Sequence, residues 1–186
     1  MLVLTLGLRK GEVLGLGWDD VDLDTGTIHV RWQIQRIKKE GKSSGELVRV
    51  PVKTKRSKRA VPLPGICIRA LKQRRAQQAT DRMAAGPLWR DQWNLGFTTG
   101  HGSPYEPRNM NRAFDALCRK AGVRKIRVHD NRHGCATLLA AEGVEPRTIM
   151  EILGHSQIGV TMNVYTHVAT ESKRQAIEHM DRLLGE

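Results

Sequence analysis

Residues 127–155 read RVHDNRHGCATLLAAEGVEPRTIMEILGH, and two helix signals follow one another in this stretch. The pattern predicts a helix over residues 130–141, which Gly143 ends because glycine readily adopts the left-handed conformation after a helix. Pro146 suits the first position of a second helix, and Gly154 closes that helix after its apolar residues. The stretch therefore indicates a domain built mainly from helices with clear boundaries.

The segments upstream of this stretch predict a small sheet. Residues 27–37 alternate apolar and polar side chains, which is the period of a strand. Residues 47–53 and 60–63 are two further strand candidates, separated by the basic sequence TKRSKR at residues 54–59, which indicates a turn. Together the three segments indicate a small antiparallel three-stranded sheet, so we expect an α+β fold that is mostly helical.

Four other segments have helical character. Residues 1–18 read as one helix, residues 65–83 as a basic helix, and residues 109–121 as a helix that Gly122 ends. Residues 170–186 form an amphipathic C-terminal tail helix, which either packs on its own domain or docks on a neighbouring molecule. The core positions predicted in the first and third of these segments are Leu4, Leu8, Val13, Leu14, Leu16, Met110, Ala113, Phe114, Leu117 and Cys118.

The composition favours a polyanionic partner. The 186 residues, which suit one domain, include 31 lysines and arginines against 19 aspartates and glutamates. The formal net charge is +12 and the pI is near 10.2. Such an excess favours nucleic acid, although charge alone also fits a protein that is merely basic. Hydrophobic residues make up 39% of the chain, which argues against a disordered tail.

Several classes of protein are disfavoured. The three cysteines, Cys67, Cys118 and Cys135, form neither a CxxC motif nor a zinc pattern, so buried or free thiols in a reducing cytoplasm are the preferred interpretation. Residues 1–8 lack the basic start and the cleavage site of a signal peptide. No apolar run approaches the ~20 residues that span a bilayer. We expect a soluble, cytoplasmic protein without a membrane segment.

Six polar side chains interrupt the apolar patterns. An arginine in an apolar helix usually extends its charged end to solvent, a lysine in a basic turn is usually solvated, and a histidine after a helix often caps carbonyl groups. A lone tyrosine usually packs against its neighbours. Each of these side chains therefore also fits a purely structural role. The six residues are Arg9, Lys53, His129, Arg132, His155 and Tyr165.

Taken together, these six side chains are what phosphoryl transfer to a protein hydroxyl requires. The transition state spreads negative charge over the equatorial oxygens of phosphorus, and arginine offers a planar, permanently charged fork for such oxygens. Lysine can donate a proton to the leaving oxygen. A tyrosine hydroxyl, with a pKa of ~10, needs a base and a cationic pocket before it can act as a nucleophile.

Several stretches of the chain resemble the tyrosine recombinases, or phage integrases. These stretches are LGLRKGEVLGLGWDDVDL, KTKRSKRAVPLP, FTTGHGSPYEPRNMNRAF, RVHDNRHGCATLLAAEGV and ILGHSQIGVTMNVYTHV. The resemblance covers about residues 4–168, and the order HDxRH, LGHS and YTH is highly specific. It implies that residues 1–186 are the catalytic domain of such an enzyme, and that the N-terminal DNA-binding domains of the family are absent.

The resemblance implies that two arginines and a lysine contact the scissile phosphate of DNA. Arg9 and Arg132 would hold its non-bridging oxygens. Lys53 would protonate the departing 5′-oxygen, and the neighbouring Lys55 is a less favoured candidate for that role. Glu12, one turn after Arg9, would orient that arginine.

The resemblance also assigns the nucleophile. Tyr165 would attack phosphorus, which gives a 3′-phosphotyrosyl link and a free 5′-hydroxyl, and a second 5′-hydroxyl would then reseal the strand. His129 would act as general acid and base at the tyrosine, and His155 would donate a hydrogen bond to a phosphate oxygen. Because the phosphotyrosine stores the energy of the broken bond, neither a metal nor a cofactor is implied.

Basic residues surround Lys53 in the sequence, and we expect them to position double-stranded DNA by phosphate contacts. Solvated surface charges are the alternative interpretation. The resemblance further implies integration or excision of DNA, with a monomer off DNA and a tetramer in the recombining complex. A non-catalytic DNA-binding remnant of an integrase is the alternative function. The expected phosphate contacts are Lys38, Lys39, Lys42, Lys55, Arg56, Lys58 and Arg59.

Overall fold

Helices dominate the fold, and two small antiparallel ladders accompany them. The computed structural model describes residues 1–38 and 45–155, together with Gly159, Met162 and Arg182. The helices in these ranges are α1 (Leu2–Leu6), α2 (Lys10–Gly15), α3 (Gly65–Ala85), α4 (Pro107–Lys120), α5 (Asp130–Ala141) and α6 (Pro146–Leu153). The strands are β1 (Val21–Asp22), β2 (Thr27–Val30), β3 (Trp32–Ile37), β4 (Glu46–Pro51) and β5 (Arg59–Pro62). The predicted α+β class with mostly helical content is confirmed.

The apolar N-terminal segment forms two short helices, whereas the sequence predicted one helix over residues 1–18. The chain turns at Gly7, where φ is 58° and a side chain would collide with Leu153. α2 then begins after Arg9, which is its N-cap residue. The sequence predicted that Arg9 lies among the leucines of a helix interior. In the structure it lies at the start of a helix. Leu4, a predicted core residue, is exposed.

The predicted strand over residues 27–37 is divided at Arg31. β2 lies between β1 and β5 in a three-stranded sheet, whereas β3 and β4 form a separate hairpin. Arg31 pairs with the buried carboxylate of Asp20, which also accepts a hydrogen bond of 2.9 Å from Arg49 of β4. Asp20 thus joins the two ladders. The three-stranded sheet exists, and β2 and β5 overlap predicted strand segments, but its third strand is β1 and not residues 47–53.

The hairpin and the sheet are joined by a basic turn, which we define as residues 53–58. β4 ends at Pro51, so Lys53 lies in the basic turn and not in a strand. Inside the turn, the hydroxyl groups of Thr54 and Ser57 are 2.8 Å apart and within hydrogen-bonding distance. The chain then enters β5, which runs antiparallel to β2 with Val61 opposite Ile28.

Two apolar clusters form the core. The larger lies where α1 and α2 meet the three-stranded sheet, and the smaller lies between α5 and α6. Because α1 packs against α5, the two clusters are close to each other. Their buried members include Leu6, Leu8, Ile28, Val61 and Cys67 in the larger cluster, and Cys135, Ala136, Ile149 and Leu153 in the smaller one.

Three further observations bear on the predictions. The three cysteines are buried free thiols, which agrees with the interpretation preferred from the sequence. On α4, Cys118 is buried, but Leu117 is 57% exposed, so its placement in the core was wrong. None of the helices within residues 1–38 and 45–155 has the length and apolar character needed to cross a membrane.

Candidate functional site

Arg9 lies at the N-cap of α2 with part of its side chain in solvent. Its backbone N–H and its Nη1 donate to the two carboxylate oxygens of Glu12 over 3.0 and 2.7 Å. Its Nη2 donates to the carbonyl oxygen of Gly154 over 3.2 Å. The side chain remains 35% exposed, so an anion from solvent can reach this guanidinium.

Arg132, in the first turn of α5, is buried. Its Nη1 donates to the carbonyl oxygen of Gly7 over 2.8 Å, its Nη2 to that of Leu153, and its Nε to Nε2 of His155 over 3.2 Å. Burial, followed by the neighbouring charge of Arg9, lowers the pKa of Arg132 to about 9. The guanidinium is therefore still charged at neutral pH, and its orientation is fixed by three contacts.

Arg59, at the start of β5, is buried too, although the sequence suggested an exposed phosphate contact. Its side chain is 7% exposed. Its Nη2 donates to Glu12 over 3.0 Å, its Nε to the carbonyl oxygen of Ile152 over 2.7 Å, and its Nη1 to that of Ser57 over 3.0 Å. A guanidinium held in this way is part of the protein interior, so the expectation of a surface position was wrong.

Three consecutive carbonyl groups at the end of α6 each accept a hydrogen bond from a different arginine. The last carbonyls of a helix lack partners within the helix and carry the negative end of its dipole, so cations gather there. We call the three arginines and the glutamate between them the arginine cluster. The carbonyl pairs are Arg59 with Ile152 (2.7 Å), Arg132 with Leu153, and Arg9 with Gly154 (3.2 Å), and the glutamate is Glu12.

Gly154 makes this convergence possible. It ends α6, as predicted, with φ of 67°, a conformation that favours glycine. A Cβ atom at this position would also lie 2.7 Å from Nη1 of Arg59. The residue therefore both turns the chain out of α6 and leaves space for a guanidinium against its backbone.

The arginine cluster carries an excess of positive charge. Burial by itself would raise the pKa of Glu12, but the charge of Arg59 and hydrogen bonds from Arg59 and Arg9 lower it below its usual value. Glu12 is thus ionised at neutral pH, with 2% of its surface exposed. The cluster holds three guanidinium groups and this single carboxylate, which pairs with Arg9 and Arg59, so a second anion is favoured beside the exposed part of Arg9.

His155 follows Gly154 directly and is buried beside Arg132. Because its Nε2 accepts a hydrogen bond from Nε of Arg132, the ring is neutral and carries its proton on Nδ1. Burial first, and then the charges of Arg132 and Arg9, lower the pKa of His155 to about 4. His155 is therefore a neutral polar group at any pH above about 5 and does not exchange protons near neutrality.

His129 occupies the N-cap position of α5, and its carbonyl oxygen accepts the backbone N–H of Arg132 over 3.2 Å. Its exposed ring lies edge-on to that of His133, with centroids 5.7 Å apart. Desolvation first, and then the charges of His133 and Arg132, lower the pKa of His129 below its usual value. A neutral, accessible imidazole at neutral pH can accept a proton.

Some of the remaining predicted site residues are exposed to solvent, and others lie outside the described residues. Lys53 is exposed in the basic turn, and no hydrogen bond or ion pair within residues 1–38 and 45–155 joins it to the arginine cluster. Lys38 is exposed at the end of the hairpin strand β3. Tyr165, Lys39 and Lys42 lie outside the described residues, as does most of the C-terminal tail.

Arg56 and Lys58 are exposed on the basic turn, where they line a cavity of about 880 Å³ that reaches His155 and α6. Lys55 begins the short helical turn Lys55–Ser57 in the same segment. The charges of Arg56 and Lys58 therefore lie beside the arginine cluster. Among the described residues, no group of three or more histidine, cysteine or acidic side chains has an arrangement that could hold a metal ion.

The sequence contained an unused signal for Arg59. Residues 59, 61 and 63 alternate with exposed residues in and after β5, and Val61 and Leu63 are buried. In a strand, residues two apart point to the same face. Arg59 therefore faces the interior with its two apolar neighbours, which distinguishes it from Arg56 and Lys58.

The chain matches a known protein family over most of its length. The Phage integrase family matches residues 1–172. A tyrosine recombinase XerC-like protein of Caldanaerobacter subterraneus subsp. tengcongensis is 35% identical over 98% of this chain and 48% of its own length. Tyrosine recombinase XerA of Thermococcus kodakarensis is 31% identical over 100% of this chain and 56% of its own length.

The fold is similar to that of solved recombinases. The integrase of transposon Tn1549, in complex with transposon right end DNA, superposes with a TM-score of 0.74 and 27% identity, over 96% of this chain and 56% of that chain. The chain thus spans about half the length of the relatives it matches.

Proposed function

This chain belongs to the phage integrase family, and from that premise we propose that it cuts and rejoins double-stranded DNA at specific sites through Tyr165. The observation that carries the proposal is the arginine cluster. Its three guanidinium groups are accompanied by a single carboxylate, which pairs with Arg9 and Arg59, and Arg9 is accessible from solvent. A phosphodiester fits this excess of positive charge, and its transition state, which gains negative charge, fits it better.

In the proposed cleavage step, the hydroxyl oxygen of Tyr165 attacks phosphorus and the bond from phosphorus to the 5′-oxygen breaks. His129 accepts the tyrosine proton, which its depressed pKa permits because the ring is neutral beforehand. Lys53 donates a proton to the 5′-oxygen as it departs. Rejoining reverses these transfers, since a 5′-hydroxyl attacks the phosphotyrosine and the tyrosine regains its proton.

The buried members of the site have electrostatic roles in this proposal. Arg9 and Arg132 hold the non-bridging oxygens of the phosphate, with Arg132 using N–H groups that remain beyond its three protein contacts. His155 is neutral at physiological pH, so it contributes a hydrogen bond and not a charge. The site then needs no reorganisation as charge develops on phosphorus.

Exposed positive charges would hold the DNA around this site. Lys38, Arg56 and Lys58 are exposed on the hairpin and the basic turn, which supports contacts to phosphates on either side of the scissile one. We further propose that the protein is a monomer off DNA and a tetramer in the recombining complex. The solved Tn1549 integrase was bound to DNA, which supports a DNA partner here.

The other candidate function is a DNA-binding remnant that no longer cuts. Loss of function would be expected to break at least one member of the set. The arginine cluster and His129 are intact, and Lys53 and Tyr165 are still encoded. The two functions differ in one observable, a covalent bond between protein and DNA.

The test is relaxation of a negatively supercoiled plasmid in EDTA at low salt, with a detergent quench that traps covalent adducts. We expect relaxation and a protein–DNA adduct with the wild type, and neither with Tyr165→Phe, which should bind the plasmid with nearly unchanged affinity. An adduct that persists in Tyr165→Phe would contradict the assigned nucleophile. A wild type that binds DNA without forming any adduct would favour the remnant.

A further inference from the structure

Arg59 contacts three separate parts of the protein, and each part carries a different member of the proposed site. Its Nη2 lies 3.0 Å from Glu12 of α2, the helix that begins after Arg9. Its Nε lies 2.7 Å from the carbonyl oxygen of Ile152, three residues before His155. One arginine thus connects the start of α2 with the end of α6.

The third contact reaches the basic turn. Nη1 of Arg59 donates to the carbonyl oxygen of Ser57 over 3.0 Å. Ser57 is itself buried, and its backbone N–H donates to the carbonyl oxygen of Thr54, the neighbour of Lys53, over 3.0 Å. The position of the turn that carries Lys53 is therefore tied to the same guanidinium.

The carboxylate of Glu12 is shared between two arginines. Oε2 accepts the backbone N–H of Arg9 and Nη2 of Arg59, while Oε1 accepts Nη1 of Arg9 at 2.7 Å and Nη1 of Arg59 at 3.4 Å. With Arg59 absent, the whole negative charge of this buried carboxylate would act on Arg9. Arg59 therefore affects both where Arg9 points and how much of its charge is available to a phosphate.

We propose that Arg59 is a positioning residue for DNA cleavage. It fixes the positions of Arg9, His155 and Lys53 relative to one another and does not touch the phosphate. The inference rests on the proposed function, because these relative positions matter only if the three residues act on one phosphate. A guanidinium is required for this role, since it is a planar fork that can donate in several fixed directions. An ammonium group at the same place would keep the charge but lose the fork.

The experiment compares Arg59→Gln and Arg59→Lys with the wild type in the rate of plasmid relaxation at saturating DNA. Displacing reacting groups by about 1 Å costs roughly 100-fold in rate, and we expect a loss of that order in both variants with plasmid affinity nearly unchanged. Arg119→Gln is the matched control, because Arg119 is an exposed arginine in the last turn of α4, a helix that carries no member of the cluster. It should relax the plasmid at the wild-type rate.

A second measurement needs no DNA. The imidazole resonances of His155 can be titrated by NMR, and the wild-type pKa is expected at about 4 because of burial and the adjacent arginines. Arg59→Gln should raise this pKa toward the usual ~6.5, since the end of α6 loses a cation and a backbone contact. Arg119→Gln should leave it unchanged.

The outcomes separate the two proposals. If the wild type forms the adduct and Arg59→Lys cleaves at the wild-type rate, charge alone suffices, and the positioning role is wrong while the proposed function stands. If the wild type forms no adduct, the proposed function fails, and an unchanged pKa of His155 in Arg59→Gln would overturn the positioning role as well. Circular dichroism checks folding, and Arg59→Lys carries the test if Arg59→Gln does not fold.

Discussion

The arginine cluster and the basic turn carry the same kind of charge in opposite settings. In the cluster, Arg59 is 7% exposed and each guanidinium has fixed oxygen or nitrogen partners. In the basic turn, Lys53, Arg56 and Lys58 extend into solvent. The two regions are adjacent in space, since Arg59 directly follows the turn in sequence.

The difference separates catalysis from affinity. Charges held away from water act through a low effective dielectric and need no rearrangement when a transition state forms beside them. Exposed charges are screened over about 8 Å at physiological salt and mainly attract the DNA backbone. Substitutions in the cluster should therefore change the rate of cleavage, and substitutions in the turn should change the binding of DNA.

The largest effect is expected for Arg132→Ala. The variant removes a buried cation whose three nitrogens are oriented by protein contacts. Loss of one preorganised charge donor costs about 3 kcal/mol in the transition state, or at least roughly 100-fold in rate. Single-turnover cleavage at saturating DNA measures it.

Arg127→Ala is the control for that comparison. Arg127 is 83% exposed and pairs with Asp130 at the start of the same helix. This variant should cleave within about twofold of the wild type, since exposed pairs contribute little. A near-normal cleavage rate in Arg132→Ala would remove Arg132 from the site and with it the contrast between the two regions.

A second prediction concerns acid and the stability of the cluster. The folded pKa of Glu12 is lowered, because the contributions of Arg59 and Arg9 outweigh the effect of burial. A lowered folded pKa means that the stabilisation is present above the unfolded value of ~4.3 and is lost as the pH falls through the folded pKa. Glu12→Gln should thus lower the free energy of unfolding by about 3 kcal/mol at pH 7, since it breaks a buried ion pair.

Urea denaturation between pH 3 and pH 7 measures this difference. The gap between the wild type and Glu12→Gln should narrow as the pH drops below about 4. Glu151→Gln, which removes an exposed carboxylate paired with Arg147, should change stability by less than about 0.5 kcal/mol at every pH. A gap that stays constant down to pH 3 would show that the charge of Glu12 does not stabilise the cluster.

The helices that carry the site were predictable because their signals are local. α5 matches the predicted range 130–141, and α6 begins at Pro146 and is closed by Gly154 as expected. Proline at a first helical position and glycine after a last one act within a few residues. The predicted i, i+3 pair His129 and Arg132 consequently lies together at the start of α5.

Errors arose where the conformation depends on distant residues. The break at Gly7 is set by contact with Leu153, far away in sequence. The division of the strand at Arg31 depends on the buried Asp20. The alternation in β5 indicates that Arg59 faces the interior, but its partners on α2 and α6 come together only in the folded protein and are not visible in the sequence.

The smallest effect is expected for Lys58→Gln in the basic turn. Lys58 is exposed and lines the cavity beside α6, so it is a phosphate contact in our proposal. Each neutralised phosphate contributes about 0.9 to the slope of log affinity against log salt. Gel shifts across a range of salt concentrations should therefore show a slope smaller by about that amount, with an unchanged cleavage rate at saturating DNA. Lys120→Gln, on the exposed end of α4, is the matched control and should keep the wild-type slope. Equal slopes in both variants would mean that the turn does not contact DNA, and its positive charge would then be only a solvated surface.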